Sequence, residues 1–117
     1  MRLSLLIIFV GLLLSNCSDN PSKSTFEQVN AEISNSNLDI ANYSEATIYY
    51  FAIDQDFAAK ANWSTKSTEE NAIKSMDIKK LPLSEVAGYK PDNKIILYYW
   101  TSKNPQQSEI NHILVSK

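Results

Sequence analysis

KIILYYW, residues 94–100, is the stretch on which the fold turns. After Lys94 come two isoleucines, a leucine, two tyrosines and a tryptophan. β-Branched and aromatic residues in a short unbroken run predict a buried strand. Turn formers bound it on both sides. Pro91-Asp92-Asn93 precedes it, and the polar loop TSKNPQQSE, residues 101–109, follows. INHILVSK, residues 110–117, then reads as a last strand, and the two form a hairpin with a long connection.

Working outward, ATIYYFAI (residues 46–53) has the same character. Apolar side chains fall on both of its faces, which predicts an interior strand of a sheet. Before it, Val29, Ala31 and Ile33 alternate with polar residues as in a half-buried strand. A helix competes there, because Ser24 and Glu27 have capping-box spacing and Phe26, Val29 and Ile33 share one helical face. The strand is the preferred reading. SNSN turns the chain, Leu38 and Ile40 open a second strand, and NYSE makes another turn.

Between the two aromatic strands the pattern is less regular. DQDFAAKANW, residues 54–63, permits a turn of helix with Phe57 and Ala61 on one side and Trp63 as a core anchor. STKSTEEN is a polar loop, and a strand through Ile73, Met76 and Ile78 follows. In LPLSEVAGYKPDN, Ser84 is placed to cap a single helical turn ended by Gly88. About six or seven short antiparallel strands with turns between them predict an all-β sandwich over residues 26–117. The chain has only 2 glycines, so its turns must rest on Asn, Asp, Ser and Pro.

The N-terminal part has a different composition. Arg2 supplies a short positive segment, residues 3–14 are apolar, and Ser15 and Asn16 are small and polar. As a helix the apolar part spans about 18 Å, whereas a bilayer core needs about 20 apolar residues. An export signal over residues 1–16 is therefore expected rather than a membrane anchor. LLSNC, ending at Cys17, resembles the lipobox of bacterial lipoproteins. The resemblance implies that a diacylglyceryl group is attached to Cys17, that cleavage follows Asn16, and that Cys17 becomes the acylated N-terminus. Asn16 departs from the Gly, Ala or Ser that the pattern favours. An ordinary secretory signal with an incidental cysteine is the alternative. Residues 17–25 then form the lipidated cysteine and a flexible polar tether.

The arrangement of ATIYYFAIDQDFAAKANW, VAGY, IILYYW and INHILVSK resembles small bacterial lipoproteins that carry an immunoglobulin-like domain. That likeness implies an immunoglobulin-like sandwich and supports the leader assignment. It implies no catalytic mechanism.

Candidate chemistry is sparse. With 11 basic and 13 acidic residues and no basic cluster, the chain is a poor fit to nucleic acid. One cysteine excludes an intramolecular disulfide and a cysteine-rich zinc site. His112 is the only histidine, and no G-x-S-x-G elbow is present. Asp54 and Asp56 have the spacing that starts a calcium loop, but Phe57-Ala58-Ala59 does not continue one; helix capping or solvated loop charge is the simpler role. No catalytic residue, metal ligand or cofactor is expected. Adjacent aromatics point to opposite faces of a sheet. Tyr49, Tyr98, Tyr99 and Trp100 are thus the candidate binding residues, on the view that exposed Tyr and Trp favour recognition.

These readings predict a lipid-anchored protein of the bacterial cell envelope, on the outer membrane, with a non-catalytic binding domain. Its partner would be an envelope protein or a glycan. An envelope-tethered inhibitor or immunity protein against a toxin or wall hydrolase is the alternative, and a small hydrolase a more distant one.

Overall fold

The computed structural model describes residues 28–117. The signal segment 1–16 and the tether 17–25, including Cys17, lie outside the described residues. Seven strands follow in order: β1 (Val29–Ser34), β2 (Asn37–Asn42), β3 (Ile48–Asp54), β4 (Ala72–Ile73), β5 (Asp77–Pro82), β6 (Ile95–Trp100) and β7 (Asn111–Val115). One short helix, α1 (Gln55–Ala58), follows β3. Among the described residues no helix is long and apolar enough to cross a membrane.

The strands form two antiparallel sheets, ordered β1-β2-β5 and β4-β3-β6-β7. The all-β sandwich predicted from the strand pattern is therefore present. Residues 29, 31 and 33 alternate inward as expected of a strand, and the competing helix does not form. From the three-stranded sheet, Val29, Leu38, Ile40 and Leu81 enter the core. They meet Ile48, Tyr50 and Ala52 of β3 and Ile95, Leu97 and Tyr99 of β6. Burial of this apolar surface at about 25 cal/mol per Å² is the main force holding the layers together. β3 and β6 lie side by side in the middle of their sheet, as their run of apolar residues predicts.

Two local expectations are corrected. The single strand through Ile73, Met76 and Ile78 is two strands, one in each sheet. Met76 sits between them at φ 63, and its N–H donates to the Asn42 carbonyl at 2.7 Å. The chain crosses here from one layer to the other, which leaves Met76 and Ile78 exposed. Ser84 caps nothing. The 3-10 turn spans Leu83–Glu85 and starts after Pro82, because Leu83 is drawn into the core.

The free edge of β3 is largely closed. β4 pairs with Ile48 and Tyr49, the Asn71 amide donates to the Tyr50 carbonyl at 3.0 Å, and Ala87 exchanges bonds with Ala52 and Asp54 at 3.1 and 2.9 Å. Closing an edge this way removes a template for unwanted strand pairing.

Candidate functional site

Because side chains alternate along a strand, the apolar excess of β3 and β6 produces a second aromatic face outside the core. Tyr49, Phe51 and Ile53 point out from β3, and Ile96, Tyr98 and Trp100 from β6. The register places Tyr49 opposite Trp100, Phe51 opposite Tyr98, and Tyr98 opposite His112 of β7. Phe51, Tyr98 and His112 thus form one row across three strands.

The connection over residues 59–71 folds back across this face. Trp63 stacks on Phe51 with ring centroids 4.6 Å apart and lies 4.7 Å from Tyr98. The expected core anchor is therefore on the outside of the sheet and half-buried; the core was already filled by Tyr50 and Tyr99. His112 ends the row, its ring centroid 6.2 Å from that of Tyr98. Two further latches hold the connection down. Trp100 Nε1 donates to Ser67 Oγ at 2.9 Å, and Ser67 Oγ donates to the Ser102 carbonyl at 3.1 Å. Asn71 Nδ2 donates to the carbonyls of Tyr50 and Lys66, while its Oδ1 accepts from the backbone N–H and hydroxyl of Thr68. All four hydrogen-bonding positions of that amide are occupied.

Between this connection, the edge of β3 and the Leu83–Glu85 turn lies a cleft of about 540 Å³. Its lining includes Tyr50, Asn62, Trp63, Lys66, Glu70 and Glu85. Asn62, Lys66, Glu70 and Glu85 are exposed, so their polar groups are free to meet a ligand from solvent. Two acidic residues and one basic residue line the cleft, which gives it a mildly negative balance. Burial, and secondly the charge of Glu85, push the Tyr50 phenol above its ordinary range and keep it a neutral hydroxyl donor.

The candidate binding residues separate. Tyr98 is half-buried beneath Trp63. Tyr49 and Trp100 are on the same outer face but covered, with exposures of 8% and 1%. Lys103 Nζ lies 5.3 Å from the Tyr49 ring centroid, and Trp100 borders the cleft. Tyr99 faces the opposite way with 0% exposure and belongs to the core, not to this surface. Cys17 lies outside the described residues. The sequence singles out neither Lys66 nor Glu85, reads Glu70 as a solvated loop charge, and offers Phe51 only as one of several strand aromatics. Phe51 carried a signal, being the aromatic two residues from Tyr49 on the same face of β3.

Asp54 is accounted for structurally. It is 1% exposed and caps α1, accepting from the N–H groups of Asp56 and Phe57 at 2.9 and 3.2 Å. It also accepts from the Lys90 N–H at 3.2 Å and Asn93 Nδ2 at 3.3 Å. Burial pushes its carboxyl up, but these hydrogen bonds outweigh it and hold the group below the usual carboxylate range. Asp56 is tied to the same loop by Asn93 Nδ2 at 3.2 Å. Among the described residues no three His, Cys, Asp or Glu side chains converge as metal ligands would. No protein-family model, curated protein or solved structure matches the chain.

Proposed function

We propose that the chain is a lipid-anchored cell-envelope protein whose sandwich is an immunoglobulin-like, non-catalytic binding module. The strand order supports the immunoglobulin-like assignment. β1-β2-β5 against β4-β3-β6-β7 is the immunoglobulin order with the fourth strand moved to the sheet of the third. β1 also runs beside β7, as the first and last strands of such sandwiches do.

One observation carries the binding role: an aromatic row outside the core, with Trp63 laid over it by a pinned connection. That connection runs irregularly over residues 59–68 before a 3-10 turn at Glu69–Asn71, longer than the usual connection of about 4–6 residues, and surface loops on a rigid scaffold are where binding residues concentrate. Half-exposed Trp and Tyr combine large contact area with low conformational entropy, the property that favours them in recognition. The partner is an envelope glycan or protein. The lipobox-like LLSNC supports the anchor on Cys17, since two or more acyl chains hold a protein stably on a membrane.

Two measurements test this reading. Cys17→Ala, followed by lipid labelling and membrane fractionation, is expected to lose the label and leave the membrane fraction; maturation at the same site with membrane retention overturns the anchor. Co-sedimentation of the unlipidated Cys17→Ala chain, added to isolated envelopes, is expected to weaken by about tenfold, near 1.4 kcal/mol, when Trp63→Ala is introduced as well. Equal retention of that folded chain with Trp63→Ala overturns the binding role.

A further inference from the structure

We propose that the cleft beside β3 is a subsite for a non-acidic carbohydrate about one or two pyranose rings long. The proposal rests on the binding-module reading and names its ligand class. At about 540 Å³ the cleft falls within the range of small-molecule sites, about 300–1,000 Å³. Its lining combines the aromatic Trp63 with several polar side chains. The indole of Trp63 is backed by Phe51 and Tyr98, and its half-buried ring borders the cleft. A pyranose presents just such a dual surface, with C–H groups on its faces and hydroxyls around its rim. Its apolar face stacks on the indole. Its hydroxyls donate to the Glu70 and Glu85 carboxylates and the Asn62 amide oxygen, and accept from Lys66 Nζ and the amide.

Other ligand chemistries fit less well. Phosphates and uronic acids meet two carboxylates and a single ammonium, an unfavourable charge balance for an anion. An extended peptide would add to the β3 edge, but that edge is already taken by β4, Asn71 and Ala87. The three latches on the connection mean that the walls stand in place before a ligand arrives. This lowers the ordering cost of binding.

Saturation-transfer NMR on the full chain, with chitobiose, maltose and galacturonate as probes, tests the proposal. A neutral disaccharide is expected to bind saturably at millimolar concentration, with galacturonate weaker by about tenfold or more. Trp63→Ala and Glu85→Gln are expected to weaken the neutral sugar by about tenfold, while Trp63→Phe, which keeps a stacking ring, loses less. Glu32→Gln, on the opposite sheet, is expected to bind like the parent. Galacturonate binding as well as the neutral sugars overturns the proposal, as does undiminished binding by folded Trp63→Ala. Should neither neutral sugar bind while envelopes still retain the chain through Trp63, the sugar class is wrong and the binding module stands. Should envelope retention also be absent, both readings fall.

Discussion

Tyr99 lies in the core, its hydroxyl buried without a hydrogen-bond partner. An unpaired buried hydroxyl costs about 1–3 kcal/mol, so Tyr99→Phe should be neutral or stabilising by about 1 kcal/mol near neutral pH. Burial pushes the phenol from 10.0 up to about 12. The folded state therefore holds the proton more tightly than the unfolded chain. That stability is fully present below pH 10 and is lost as pH rises towards 12. Two units correspond to about 3 kcal/mol. Urea melts through this range should show the parent losing stability faster than Tyr99→Phe; parallel pH profiles would contradict the burial argument. Adjacent tyrosines must point to opposite faces, and that much was readable from Tyr98-Tyr99. Which of them turns inward was not, because it depends on how β6 is placed against its partners. The capping role of Asp54, by contrast, follows from chain-local geometry; the sequence offers it beside solvated loop charge, and the structure decides for the cap.

At the scale of elements, α1 and the segment after β5 are locked together by a close approach. Gly88 has φ 65, and a Cβ there would lie 2.3 Å from Phe57 Cγ and 2.5 Å from Phe57 Cβ. Those atoms lie next to the Phe57 backbone and yield little. Gly88→Ala should cost about 3 kcal/mol, of which about 1–2 reflects the left-handed backbone. In a Phe57→Ala background the contact with Cγ is gone while that with Cβ remains, so the same change should cost less than in the parent but more than the backbone part alone. A double-mutant cycle by chemical denaturation reads the difference, and additivity would refute the contact. The sequence placed a helical turn in this segment, but capped it with Ser84 and ended it at Gly88, whereas the turn starts after Pro82 and ends at Val86. It also joined β4 and β5 into one strand. Both errors have one cause: Leu83 and Ile73 are drawn into the core by residues far along the chain. Local spacing of apolar residues does not report where a strand changes layer.

For the whole molecule, Asn42 is the joint between the sheets. It is 0% exposed at the end of β2, and its Nδ2 donates to the carbonyls of Ala46 at 2.8 Å and Ile73 of β4 at 2.9 Å. Its Oδ1 accepts from the Ser44 N–H at 3.0 Å and the Ser44 hydroxyl at 2.6 Å. Asn42→Ala strands several buried polar groups at once and should lower stability by about 3 kcal/mol or more. Thermal unfolding followed by near- and far-UV circular dichroism checks this; a loss under about 1 kcal/mol would mean the joint is not shared by the layers. The sequence by itself determined most of the strands and turns, the all-β class and the excess of aromatics, since alternation and composition are properties of neighbouring residues. Only the tertiary structure decided that Trp63 lies outside the core, that Phe51, Tyr98 and His112 form one row, and that a cleft opens beside β3. Those features arise from register and from the return of residues 59–71 across the sheet. Each depends on contacts between residues far apart in the chain, which no local pattern encodes.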